Sequence, residues 1–597
     1  LNLGTVDSIT VRSAGRGYGL YVGKGSEISG EVGSIDVLAS QDAYGIYAPE
    51  ESTSADVTIT GGVKVKSTGG EAVGILTLNN EVNLSGDAKV DVIAAPDKDA
   101  RGVEVKNKDL ELNITGDRVI AATASGAGNA DAGLAENGHA LSVNADGLVA
   151  FNAVAENGNA TGLTSVGGSS VDVRTAGDIT VIASSVTGAA RGIVTTGNTD
   201  VISLAAGGSI AIAAKDAAID ASGGGAVTVS ADKGAMLALD ASSSGKALIY
   251  ATDSASITLS NVSADVSDYA KANSFAIASG DSVITMIGSS VKGDVKHNYR
   301  KDNGLNPTDV MTINIYDDTD YSGAIQSPSV NVNIDSVSSW EVTSDSDTYG
   351  ALNNMGGSVV FKNDGTYRKL TVSELKSDPS VKSGTGVAAA EATGGRYYMQ
   401  ADVAADKADQ IIADKSGVSS NTITITSPYK SGSYVERMYM HLVEVKNDKN
   451  ATFTVGNEGG YYEYGIWKYV LASEDIGGSG LGWYLLNTGK ASNTVTAVFN
   501  SLMAPGIGHL EEGALYSQLG DPAYDAVSGD RETHVWGYAV YNKSKYTGHV
   551  EAPLAGAIAD DNYAENKFYG LTGGMDKIVH ESDNGTLRLG AMMGYGE

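Results

Sequence analysis

A tetrapeptide, Ala-x-Gly followed by Ile, Leu or Val, recurs through the first third of the chain. It reads Ala43-Tyr44-Gly45-Ile46, Ala72-Val73-Gly74-Ile75, Ala100-Arg101-Gly102-Val103, Ala160-Thr161-Gly162-Leu163 and Ala190-Arg191-Gly192-Ile193, with looser copies ending at Leu20 and Leu134. The glycines fall at Gly19, Gly45, Gly74, Gly102, Gly133, Gly162 and Gly192, in steps of 26, 29, 28, 31, 29 and 30 residues. A near-constant period in this range means a stack of like supersecondary units, not a globular enzyme domain.

Each period holds three short segments of alternating apolar residues. One set includes Val57/Ile59, Val82/Leu84, Val171/Val173 and Ile202/Leu204. A second includes Ile35/Val37, Val63/Val65, Val90/Val92, Ile179/Val181 and Ile210/Ile212, and the third is the glycine segment itself. Alternation at period two buries one face of each strand, and strands this short cannot bury it alone. Stacking the periods closes three strands around a shared apolar interior, which predicts a right-handed parallel β-helix of about 26–31 residues per turn. A β-sandwich also offers many short strands, but would not repeat one Gly-apolar signature in register.

Corner Gly, Asn and Asp are expected to supply left-handed backbone positions. Gly33, Gly61, Gly147, Gly177 and Gly208 precede the second set by two residues, and segments 121–131 and 152–160 read as loops bulging from one corner. After about residue 205 the period blurs. Strand-like runs at 226–230, 255–259, 283–287, 310–316 and 330–334 extend the expected coil to about 375.

From Trp340 the sequence resembles a known family. Ser339-Trp340-Glu341-Val342-Thr343 with Ser346 and Leu352, then Tyr367-Arg368-Lys369-Leu370-Thr371-Val372 with Leu375, are similar to the last rungs of autotransporter passengers. Gly394 to Met399, Ala408-Asp409-Gln410-Ile411, Gly417, Ala451 to Val455, Tyr462-Glu463-Tyr464 and Trp483-Tyr484-Leu485 follow in the order of the pertactin-like junction, or autochaperone, module. The resemblance implies that 491–520 is a helix threaded through a translocator pore, although Pro505 and Gly506 interrupt it. Three strand candidates follow, within 534–541, 568–575 and 586–595. Apolar residues alternate there with glycine or polar ones, as in outer-membrane barrels.

The expected fold is therefore all-β. A β-helical passenger stalk spans 1–364, a pertactin-like junction module 365–490, a linker helix 491–525, and the N-terminal part of an incomplete autotransporter barrel 526–597. The array is already running at Leu1 and the resemblance implies a twelve-stranded barrel, so the chain reads as a fragment truncated at both ends.

Formal net charge is −31, which repels phosphate backbones and argues against a nucleic-acid partner. Without cysteine there is no thiol nucleophile, thiolate metal site or disulfide. The seven histidines, at 139, 297, 441, 509, 534, 549 and 580, show no metal-ligand spacing. Two motifs carry a trace of chemistry. Gly280-Asp281-Ser282 lacks the continuation of a serine-hydrolase block. Asn198-Thr199-Asp200 matches one motif of pectin-cleaving β-helices, but Asp317-Asp318 lies 117 residues beyond it and Gly138-His139 precedes it.

No catalytic, cofactor-binding or metal-binding residue is assigned, and no cofactor is expected. The resemblance implies a surface-displayed passenger, read as a non-enzymatic adhesin or interaction stalk whose translocator exports it across the outer membrane. The alternative is the stalk of an autotransporter protease or esterase with its catalytic domain upstream of Leu1. Expected partners are the outer-membrane bilayer through the barrel, the barrel-assembly machinery, and a host glycan or protein or like chains on neighbouring cells.

Overall fold

The computed structural model describes residues 1–24, 26–48, 54–76, 80–85, 89–106, 109–240, 242–267, 271–297, 310–378, 394–426, 439–465, 467–493, 533–549, 561–582 and 585–596. Its main body is a parallel β-solenoid, in which strands pair with their counterparts one turn earlier and one turn later. The alternating pattern is realised directly: Val63 and Val65 point inward while Lys64 and Lys66 point out.

Three ladders run along the coil. The first stacks Ala43, Ala72, Ala100, Ala130, Ala160 and Ala190 in register. The second stacks Val57, Val82, Leu112, Val143, Val173, Leu204 and Val229. The third runs Ile35, Val63, Val90, Ile120, Phe151, Val181, Ile212, Leu237 and Ala264. It continues through Val291, Tyr321, Trp340, Val359, Tyr397 and Ile423 to Val455. Parallel pairing thus extends well past residue 375.

The interior is thin, so the ladders trade volume. A methyl group on Gly45 or Gly192 would strike Val63 or Ile212 of the third ladder. Beyond Gly192 the stacked glycine position becomes Ala218, Leu248 and Phe275. Across the coil, Ile212 gives way to Leu237 and then Ala264. The repeat blurs after residue 205 because bulk moves from one wall to the other, not because the coil ends. Farther on, the indole N–H of Trp340 in the third ladder donates to the Gly323 carbonyl at 3.0 Å.

Register also corrects one step of the repeat. Val103 pairs with Gly133, and Gly133 with Leu163, so the residue aligned with Gly102 and Gly162 is Ala132. Gly133 occupies an apolar position instead, where Leu163, Phe151 and Leu141 fill the space its side chain leaves. The long and short steps around residue 133 come from this displacement.

Of the segments read as bulging loops, 121–124 and 152–155 are the ends of strands Arg118–Ala124 and Val149–Ala155, while 125–129 and 156–159 are short corner connections. Their alanines are tolerated on a strand because stacking, not bulk, holds it, and the corners need only a few residues. Gly147, Gly177 and Gly208 do not adopt left-handed backbone. Each lies so close to the backbone of the previous turn that a Cβ would collide with it, and this explains the glycine.

Beyond the coil, Thr533–His549, Asp561–Ser582 and Gly585–Gly596 form a three-stranded antiparallel sheet. As described it is an open sheet, not a closed barrel. The pore-linker helix expected at 491–525 lies, from residue 494 onward, outside the described residues.

Candidate functional site

The motifs that carried a trace of chemistry turn out to build corners. Asp200 is fully buried and accepts backbone N–H groups from Gly168, Ser169 and Thr196 at 2.6, 3.1 and 3.0 Å. Ser282 is likewise buried, its hydroxyl donating to the carbonyls of Ser279 and Ala251. Asp317 and Asp318 both take left-handed backbone at a turn. His139 lies 3.6 Å from Asp109, far in sequence from Asp200 and Asp317. Among the described residues no three His, Asp or Glu side chains converge as a metal site would need.

Asn and Asp serve the corners in a way that sequence reasoning only half anticipated. Asp97, Asn137 and Asn261 do adopt left-handed backbone. Others act through their side chains. Asp99 accepts the N–H of Asn129, Asn129 that of Asn159, and Asn159 that of Ala189, at 2.9, 2.9 and 3.1 Å. This staircase ties each turn to the next and satisfies N–H groups the ladders leave unpaired.

The densest polar constellation lies near the C-terminal end of the coil. Arg368 is 5% exposed, and its guanidinium donates to the carbonyls of Thr343, Lys362 and Thr366 at 2.6, 2.6 and 2.7 Å. It also donates to the Asp364 carboxylate at 2.7 Å, and this hydrogen bond brings Asp364 down to about 2. Asp409, fully buried, accepts the backbone N–H groups of Arg368 and Gln400 at 2.7 and 2.6 Å. Burial nevertheless lifts its pKa to about 6, against those hydrogen bonds. Arg368 and Asp409 thereby pin four separate segments of chain. Both residues stood in recognisable motifs, yet nothing in the sequence assigned them this clamp.

Just beyond, the pairing changes direction. Tyr439–Val445 still pairs in parallel with the coil on one edge, but on the other it pairs antiparallel with Leu481–Ala491. That strand pairs antiparallel with Trp467–Asp475, which in turn pairs with Tyr462–Tyr464. An aromatic cluster fills the space beneath. Trp483 meets Phe453 edge-on at 4.9 Å, Phe453 meets Tyr397 at 6.1 Å, and Tyr464 donates its hydroxyl to Asp402 at 3.0 Å. The antiparallel sheet is a cap, covering the apolar end that a parallel coil leaves open.

The family model for pertactin matches residues 362–487, a span that takes in the clamp and nearly all of this cap. Over this span the chain is similar to pertactin. The resemblance to autotransporter passengers, read from the motifs around Tyr367, Asp409, Phe453 and Trp483, holds across the module. Among solved structures, the autotransporter UpaB from E. coli strain CFT073 is similar at 14% identity. The alignment covers 80% of this chain and 99% of that one, with a TM-score of 0.44. The Haemophilus influenzae Hap adhesin is 12% identical, with 79% and 64% of the two chains covered and a TM-score of 0.32. No curated protein sequence matches the chain.

Proposed function

We propose that the chain is the passenger of an autotransporter, displayed at the outer surface as a non-enzymatic adhesin or interaction stalk. The observation that carries this reading is the pertactin module at the C-terminal end of the solenoid, where it closes the stack. In this reading the module folds first outside the cell and offers its free edge as a template. Each later turn docks on the one below, and the free energy of stacking biases the chain outward without ATP.

The three-stranded sheet is proposed as the start of the translocator barrel. Val535, Tyr541, Tyr569, Leu571, Met575, Leu589, Met593 and Tyr595 are all exposed. Strand register places them on one face, since Val535 pairs with Met575, Tyr541 with Tyr569, and Leu571 with Tyr595. Such a face suits the hydrocarbon of a bilayer and, in the barrel-assembly machinery, the outer membrane's insertion route. Proposed partners of the stalk are a host glycan or protein, or like chains; nucleic acid is disfavoured by the charge of −31.

Expression in a Gram-negative host, with the barrel completed by a known translocator, tests the reading. Protease added to intact cells should remove the solenoid and abolish adhesion to epithelial or abiotic surfaces. A solenoid found only in the periplasm, or displayed cells that adhere no better than controls, would sink it.

A further inference from the structure

The outer face of the third ladder changes character in the middle of the coil. At its outward positions within 119–123, 150–154, 180–184, 211–213 and 236–238, no Asp, Glu, Lys or Arg stands. On the same ladder Lys64 and Asp91 precede these turns, and Asp265 and Lys292 follow them. The other two walls carry charge over the same turns, as at Asp131 and Arg191 on one and Asp172 and Arg174 on the other. The formal net charge of the chain is −31. An uncharged face several turns long is a departure from the rest of that surface.

Its relief is a ridge on low ground. Val154, Ile182 and Met236 are 45%, 42% and 57% exposed, and they step across the face from one rim to the other. Ala121 and Ala213 share a row with Ile182, and Ala150 and Ala211 share one with Met236. A two-fold axis along strand Ile179–Ser185 turns a second coil end for end and keeps each row opposite its own copy. Counting turns from that strand, Ile182 meets the partner's Ile182, Met236 lies toward the partner's Ala121, and Val154 toward the partner's Ala213. At one rim the exposed Glu156, one turn before the axis, comes beside the partner's Lys215, one turn after it. At the other rim Asp178 falls near the axis with Lys233 of its own chain close by.

We infer that this face, centred on Ile182, is the contact through which two copies of the chain pair side by side, with their coils antiparallel. The inference rests on the adhesin reading and names its partner as a like chain. Two copies at −31 repel on approach, and this face lets them touch without setting carboxylates against each other at the centre. Turns about 4.8 Å apart and strands of about five residues give a face of roughly 400 Å² on each copy. The roughly 800 Å² buried by the pair falls below the span of stable dimers, so single pairs are weak and transient. Many chains on facing surfaces would hold together by avidity.

Sedimentation velocity of the full purified chain, over about 1 μM to 1 mM, tests the pairing, with melting temperature followed in parallel. A monomer–dimer equilibrium is expected. Ile182→Lys should weaken it about tenfold or more at unchanged melting temperature, because it sets two like charges against each other at the axis. Val418→Lys, at an exposed valine far along the coil, should leave it unchanged. Glu156→Lys and Lys215→Glu should each weaken pairing, and the double variant should recover it. A monomer throughout, self-association indifferent to Ile182→Lys, or additive losses in the double variant would each overturn the proposal. Displaying cells that adhere to epithelial surfaces but never clump would refute the pairing and leave the adhesin reading standing. Ile182-dependent dimers of the purified chain, together with a solenoid confined to the periplasm, would refute the display reading and leave the pairing standing.

Discussion

Replacing Gly162 by alanine tests the exchange of volume between walls. The new methyl would fall far inside van der Waals contact with Cγ1 of Val181 and 2.7 Å from the carbonyl oxygen of Gly192. Neither can yield easily. Val181 is fully buried, β-branched, and stacked between Phe151 and Ile212, while the carbonyl belongs to the next turn. Overpacking of this kind costs about 1–3 kcal/mol, and the loss of glycine's freedom in the unfolded chain returns about 0.4–1 kcal/mol. A net destabilisation of about 1–2 kcal/mol follows. Gly133→Ala is the internal comparison. Its nearest neighbour is the flexible end of Leu163 at 2.8 Å, followed by Phe151 and Leu141 at 3.5 and 3.6 Å, so a change within about 0.5 kcal/mol is expected. Urea unfolding followed by circular dichroism gives the midpoints, and hydrogen exchange locates the weakening in the strands around 160–165 and 179–185. Adding Val181→Ala to Gly162→Ala should cost less than the sum of the single changes, with a coupling of about 1 kcal/mol. Equal stability of the two glycine variants, or strict additivity in the double variant, would refute the packing argument.

Trp340→Ala and Trp483→Ala remove buried indoles and should each cost about 3–5 kcal/mol and slow surface appearance in a pulse-chase protease assay; normal display of both would refute a folding-driven export step. Asn159→Ala should cost about 1 kcal/mol by freeing the N–H of Ala189, and exchange of that amide should quicken. For Asp409 the folded pKa of about 6 lies above an unfolded value of about 3.9, so the folded state holds the proton between them. Its contribution is therefore greatest at low pH and shrinks as pH rises from about 4 to 6, and Asp409→Asn should flatten that part of a stability–pH curve. Asp364, at about 2, acts in the opposite sense, losing stability as pH falls below about 4. An unchanged slope between wild type and Asp409→Asn would show that the buried carboxylate is not the source.

The coil was legible because its energetics are local and repetitive. Alternating Val63/Val65 or Ile179/Val181 reports one buried face, and the period reports stacking. The wall exchange was not legible, since Ala218 and Leu248 lose the glycine signature and their compensation at Leu237 and Ala264 lies far along the chain. The displaced Gly133 misled for the same reason, as sequence spacing cannot tell an inward glycine from its neighbour. Family resemblance marked the stretch that the pertactin model matches, but the clamp of Arg368 and Asp409 joins residues 41 apart and needed the fold to bring them together.

The antiparallel cap gives the molecule a growth front. A parallel coil presents the same row of backbone N–H and C=O groups after every turn, so a rung laid on a finished stack meets the backbone edge its predecessor met. With one end closed by the sheet of Tyr439–Val445, Leu481–Ala491 and Trp467–Asp475, addition can proceed from the other end alone, as a crystal grows from a seed fixed to a wall. The free energy gained per rung then does not depend on how many rungs precede it. Length becomes a parameter that can drift by duplication of a single turn of about 30 residues, without any change to the cap at the base.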